Sequence, residues 1–346
     1  MLAAYPKYSR SNTGQRVPTR YQYTDLFEFA QSGGKQAFEH VQQMPKTEAY
    51  VNVRIAAMSS VEIIFCDHQI VEWKFCGKRD SKRHELEDMR QLVVKLYNES
   101  SEESTEVSEL VFAKTSSSSY CCTSNCTTKV VQFIRYICTL FNAPVRDMRI
   151  CPSKLHHLEE IQSVEVLKKS TCVTILKGVV SHEEMRRVLG GFESAYMTIL
   201  CDTEPNFTYD RTISIKDLSV HAGSWFQGPM LLNLVNCETV YLMGSQISDE
   251  HLNIFLHEWF QKSSGCGTIT RLAMFPGCLC FDCENVYEPS SQKEWDLDKI
   301  TQGLSSFQQP SPQWSGLGTR RFRRTIDDTI IDISIAGCGF EFHGTR

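Results

Sequence analysis

Cysteine and histidine supply most of the reactive side chains in this sequence, 15 and 10 of its 346 residues. The best candidate for a metal is the thiol cluster Cys278, Cys280 and Cys283, with Cys266 upstream. A structural zinc site takes four such ligands, commonly from paired knuckles. Here the second pair would have to come from Cys266 or from the distant Cys121, Cys122 and Cys126. The pattern fits a loop of reduced thiols, and no metal is expected at Cys278, Cys280 and Cys283. His156-His157 beside Glu159-Glu160, and His251 before His257-Glu258, invite acid–base chemistry. Metallopeptidase histidines keep an i, i+4 spacing on one helical face. His251 and His257 do not share a face, so both groupings read as solvated helix surface. There is no phosphate-cradling glycine loop and no Gly-x-Ser-x-Gly turn. With these motifs missing, an enzyme is not expected, nor any cofactor. Arg320-Arg321-Phe322-Arg323-Arg324 could meet phosphates, with Phe322 stacking on a base. Followed at once by Asp327-Asp328, it reads as a charged edge strand whose arginines discourage aggregation.

The elements around these residues are clearest at 237–276, which reads strand, capped helix, strand. Leu252, Phe255, Leu256, Trp259 and Phe260 recur at helical spacing as one apolar stripe. Ser248 stands at the N-cap, and Asp249 and Glu250 place negative charge on the first-turn amides. Residues 239–243 and 268–275 are rich in β-branched and aliphatic side chains, as buried strands are. A unit with no catalytic residues in its turns builds a surface, and the expected role is binding.

Residues 1–23 are polar and without period, a disordered arm. Residues 24–44 form a short helical segment, loosened by Gly33-Gly34. Residues 45–97 are β-rich, with alternation at 50–55 and 61–75, and 98–127 form a polar linker or loop. From 128 to 310 helical stripes and short strands alternate: a stripe at 130–141, strands at 145–150, 172–176 and 196–200, and a Ser181–Glu184 capping box. Strand starts fall about 21 to 30 residues apart, the rhythm of leucine-rich or related α/β solenoids. Strand–helix–strand crossovers of this kind impose a parallel sheet. Residues 311–346 end the chain as a small β cap. The fold class is therefore α/β: a leucine-rich-repeat-like solenoid with a parallel sheet, preceded by a small helical and β segment and closed by a terminal β cap.

Composition is that of an ordinary globular chain, with net charge -5, which argues against a nucleic-acid-binding body. No apolar run approaches the roughly 20 residues that span a bilayer, and the first residues lack the apolar core of a secretory signal. No membrane and no nucleic acid is expected as partner, and an intracellular location, cytoplasm or nucleus, follows. The odd cysteine count then reads as reduced thiols.

The run NCETVYLMGSQISDEHLNIFLHEWFQ resembles the type-2 F-box-associated domain of nematode F-box proteins. Asn236, Ser248, Asp249, Leu252, Asn253, Phe255, Leu256 and Trp259 match its motif one by one. DLFEFAQSGGKQAFEH at 25–40 is similar to the latter half of an F-box, and the resemblance covers most of 24–343. It implies a substrate-recognition subunit of a Skp1-cullin-F-box ubiquitin ligase that holds a protein target on its solenoid. Leu26, Phe27, Phe29 and Ala30 would then face the Skp1-type adaptor. The N-terminal F-box is truncated or degenerate, since 15–23 offers Val17-Pro18 but no apolar helix. The alternative is an interaction protein of the same descent that has lost the adaptor contact and binds targets only.

Overall fold

The computed structural model describes residues 9–10, 16–17, 27–28, 30–31, 34–43, 49–65, 70–77, 91–96, 108–114, 118–123, 125–261, 265–275, 294–304, 319–324, 326–336 and 339–345. The chain divides into two compact units, Met1–Thr171 and Cys172–Arg346. Both are mixed α/β.

The first unit holds strands β1 (Ala49–Ile55), β2 (Met58–Phe65), β3 (Ile70–Gly77), β4 (Gln91–Leu96), β5 (Ser108–Lys114), β6 (Ser118–Thr123) and β7 (Val145–Ile150). Their order in the sheet is β7-β1-β2-β3-β6-β5-β4. The β1–β7 and β3–β6 pairs are parallel and the others antiparallel. The expected strand at 61–75 is thus two strands, β2 and β3, folded back on each other. The expected linker at 98–127 contains β5 and β6, and Ser9–Arg10 pairs with Arg16–Val17 inside the expected disordered arm.

Helix α1 (Gly34–Gln43) precedes the sheet, and α2 (Cys126–Phe141) follows β6. Helix α2 ends where Asn142 turns left-handed at φ 48° and its amide returns to the Thr139 carbonyl. Its buried stripe centres on Phe133, whose ring lies 5.2 Å from Trp73, 5.3 Å from Phe75 and 5.4 Å from Phe112. These rings come from β3, β5 and α2, so one side chain ties together segments distant in sequence. Two short helices, α3 (Leu158–Gln162) and α4 (Glu165–Lys168), close the unit. The unit boundary falls inside the expected 128–310 domain because β7 pairs in parallel with β1, which draws 128–171 to the first unit.

In the second unit five strands run parallel: β8 (Cys172–Ile175), β9 (Tyr196–Ile199), β10 (Asp217–Val220), β11 (Thr239–Met243) and β12 (Arg271–Phe275). Each pairs with the next in sequence, and Cys172, Tyr196, Asp217, Thr239 and Arg271 stand side by side in one register. The crossovers carry α5 (His182–Gly191), α6 (Gly228–Leu232) and α7 (Asp249–Gln261). The Ser181–Glu184 box is formed as its spacing predicts: the Ser181 hydroxyl accepts from the Glu184 amide and the Glu184 carboxylate from the Ser181 amide. At α7 the Ser248 hydroxyl accepts from the His251 amide, and His251 Nδ1 takes the Ser248 amide in return. A histidine therefore fills the place a glutamate holds in the usual capping box.

The short helix α8 (Leu297–Ile300) leads to the last three strands, β13 (Thr319–Arg323), β14 (Ile330–Ala336) and β15 (Gly339–Thr345). They pair antiparallel with one another, and β15 pairs antiparallel with β12, which ends the parallel run. Among the described residues no helix is long and apolar enough to cross a membrane.

Truncating the ring at the centre of the first unit tests its core. Phe133→Ala should lower unfolding free energy by about 3–5 kcal/mol, measured by chemical denaturation, with the second unit's transition unchanged.

Candidate functional site

Side chains alternate along the five parallel strands of the second unit, and the alternation separates two faces. Val173, Ile175, Met197, Ile199, Leu218, Val220, Val240, Leu242, Leu272 and Met274 are buried on one face. The opposite face carries Thr174, Thr198, Ser219 and Tyr241 side by side, all half-buried, with Ala273 after them. Below that row lie Cys172, Tyr196, Asp217, Thr239 and Arg271, and Tyr196 and Arg271 are exposed. This open face is mostly neutral, made of hydroxyls and aromatic rings with one carboxylate and one guanidinium.

Its most concentrated part surrounds Tyr241. His221 lies 5.9 Å from the Tyr241 ring and Phe275 5.3 Å from it, centroid to centroid. Ser219 Oγ and His221 Nε2 are 2.9 Å apart. That is a nucleophile–base distance, but a working pair needs a group to orient the imidazole and amides to hold an oxyanion. Among the described residues no carboxylate contacts His221, and strand β10 commits its amides to the ladders with β9 and β11. What the geometry gives is a hydrogen bond between Ser219 and His221 on the open face. Burial lowers the His221 pKa, so the ring is neutral at pH 7. The reading of chemistry-bearing residues missed this group. Two signals mark it: period-2 spacing places Ser219 beside His221, and the strand rhythm places Tyr241 opposite Ser219.

The residues of the matched motif are structural in geometry. Leu252, Phe255, Leu256 and Trp259 are buried, while Phe260, read as part of the same stripe, is half-buried. Asn253 Nδ2 donates to the Ile300 and Gln302 carbonyls at 3.0 and 2.9 Å, fixing α8 against α7. Asn236 is left-handed at φ 58° and donates to Ser214 Oγ at 3.5 Å. Asp249, at the first turn of α7, has a buried carboxylate oxygen with no hydrogen-bond partner among the described residues.

The arginine run forms the edge strand β13 and the turn after it, and each guanidinium meets a carboxylate. Arg320 bonds Asp298, Arg321 bonds Asp332 across the strand pair at 2.7 Å, and Arg323 lies 3.1 Å from Asp328. Phe322 is fully buried and cannot stack on a base. Arg324, 1 % exposed, lies 3.7 Å above the Trp259 ring. All of its donors are used: Nε and Nη2 on the two oxygens of Asp327, Nη2 also on Thr329 Oγ1, and Nη1 on the Trp259 and Gly267 carbonyls. Asp328 takes the left-handed conformation at φ 58°, the backbone region glycine adopts most easily.

Of the expected adaptor-binding residues, Phe27 and Ala30 are inside the first unit. Phe27 is 3 % exposed and Ala30 fully buried. The Phe27 ring lies 5.6 Å from Trp73 and 6.3 Å from Tyr136. Neither side chain offers surface to an adaptor: Phe27 is packed into the aromatic core of α2 and β3, and Ala30 is fully buried. Leu26 and Phe29 lie outside the described residues.

A cavity of about 460 Å³ in the first unit is lined by Asn125, Cys126, Thr127 and Thr128 at the start of α2, with Lys154 and His157 opposite. Beside it, Glu160 Oε2 accepts from Thr128 Oγ1 and lies 3.6 Å from His157 Nδ1. Burial, and then the charge of His156, lowers the His157 pKa. His251 is engaged in the α7 cap, and His257 Nε2 lies 3.0 Å from the Gln302 carbonyl. Cys278, Cys280 and Cys283 lie outside the described residues, and Cys266 is fully buried. Among the described residues no three histidine, cysteine or acidic side chains are arranged to hold a metal ion.

No family model matches the chain, and comparison with curated proteins and with solved structures finds no match.

Two outcomes follow from this geometry. Arg324→Lys keeps the charge but cannot reach Asp327, Thr329 and both carbonyls together. It should cost about 2–3 kcal/mol in denaturant unfolding. His221 has a folded pKa below its unfolded value of 6.5, so below that pH the unfolded chain binds more protons than the folded one. Stability should therefore fall as pH drops through 6.5, and His221→Gln should flatten that part of the pH–stability curve.

Proposed function

We propose that the chain is the substrate-recognition subunit of a Skp1-cullin-F-box ubiquitin ligase, binding a target protein through a leucine-rich-repeat-like α/β solenoid in its second unit. The observation that carries the target-binding part is the open face of five parallel strands in one register, starting at residues 172, 196, 217, 239 and 271. A face of hydroxyls and aromatic rings, low in charge, has the composition of a protein-binding patch core. Tyr241, flanked by His221 and Phe275, is the type of anchor that dominates such interfaces. The ligase role rests on the motif resemblance at 236–259 and on the F-box-like segment at 25–40. In that role the chain acts by placement, raising the effective concentration of its target near the ligase without chemistry of its own.

A second reading is favoured by the burial of Phe27 and Ala30. It keeps target binding on the open face and drops the adaptor contact.

Two measurements separate these readings. The full chain mixed with a purified Skp1-type adaptor at micromolar concentrations should form a complex under the first reading, and its absence leaves the second. Tyr241→Arg, a half-buried position whose substitution leaves the core intact, should weaken capture of the proteins that bind the wild-type chain by about tenfold or more. An unchanged set of captured proteins, with the fold verified by circular dichroism, would remove the open face from both readings.

A further inference from the structure

We propose that Cys76 and Cys122 are a modification site, joined by a reversible disulfide when the chain meets hydrogen peroxide. The two residues are register partners on the parallel strands β3 and β6. Adjacent strands run about 4.8 Å apart, inside the Cα separation of about 4.4–6.8 Å that a disulfide accepts. The bond therefore needs side-chain rotation and no shift of backbone. The sulfurs are already 3.1 Å apart. Alternation along β6 turns Cys121 to the opposite face, where it is buried with Phe75 and Phe112. It is therefore not a competing partner for Cys76.

Exposure divides the two roles. Cys122 is half-buried and Cys76 only 7 % exposed. Burial, and then the adjoining Cys122 thiol, pushes the Cys76 thiol up to about 12, which leaves Cys122, the more exposed sulfur, as the one peroxide meets first. Peroxide oxidises the Cys122 thiol to a sulfenic acid and releases one water. The Cys76 sulfur then attacks the sulfenic sulfur: the S–S bond forms, the S–O bond breaks, and the hydroxyl leaves with the Cys76 proton as a second water. Two thiols thus give up two electrons to one peroxide. The bond spans 46 residues of chain, including β4 and β5. It would remove loop freedom from the unfolded state and hold β3 to β6 at the entry to α2.

The test uses the full chain, reduced, desalted and treated with hydrogen peroxide, then alkylated and digested without reductant for mass spectrometry. The expected product joins the peptide containing Cys76 to that containing Cys122, lighter by two hydrogens and cleaved by dithiothreitol. The oxidised chain should also melt at a higher temperature, with the gain lost on reduction. Three results would overturn the proposal: Cys76 still open to alkylation while Cys122 is over-oxidised or bonded to Cys126, a link that persists in Cys122→Ser, or a linked chain with no gain in melting temperature.

Discussion

Burial of alternate side chains along the five parallel strands constrains the rest of the second unit. Each strand must put Val, Ile, Leu or Met onto one face, and a parallel neighbour can be reached only by a crossover that leaves the sheet and returns. The crossovers therefore become the cover for that face, and the capped helices α5 and α7 follow from it. The same alternation sends Thr174, Thr198, Ser219 and Tyr241 the other way, where they line up because the register repeats without slipping. The open face is thus a by-product of the core: a residue that slipped register in one strand would expose an aliphatic side chain and bury a hydroxyl.

A parallel run needs an end, because its last strand would otherwise present unpaired backbone. Strand β12 meets β15 in antiparallel pairing, and β13 becomes the new edge, studded with paired arginines. Arg324 then locks the cap to the helix before it. A fully desolvated guanidinium is costly unless every donor is met. Here the Asp327 carboxylate, Thr329 and two carbonyls meet them all, and the Trp259 face adds a cation–π contact. Trp259 in turn spends its indole N–H on the Ile269 carbonyl at 2.8 Å, so one tryptophan joins α7, the turn leading into β12 and the terminal cap.

What could be read from the sequence divides along the same physical line. Local signals were legible: the Ser181–Glu184 box, the Ser248 cap, the α7 stripe and the strand at 145–150 all depend on neighbours within a few residues. Strands β5 and β6 were not legible, because they lie among serine-rich sequence and become strands only when paired, β5 with β4 and β6, and β6 also with β3. The unit boundary at 171 was hidden for the same reason, since β7 belongs with β1 only through long-range pairing. Arg324 sits in a run whose composition suggests surface, and only the meeting of Trp259, Gly267 and Asp327 makes it a core residue. The open-face group around Tyr241 lay between these cases: its spacing was visible, but its members carry no catalytic signature.

The buried state of Phe27 and Ala30 bears on the adaptor contact that the proposed ligase role requires. An adaptor contact requires apolar side chains that are exposed in the free chain and covered in the complex, whereas Phe27 already packs among the rings of Trp73, Phe133 and Tyr136 and Ala30 is fully buried. Releasing them would open the centre of the first unit's core, at a cost of the order of truncating large apolar side chains, about 3–5 kcal/mol each for an aromatic residue. An adaptor that bound here would have to repay that cost from its own interface. The economical arrangement leaves the segment as an internal brace of the first unit.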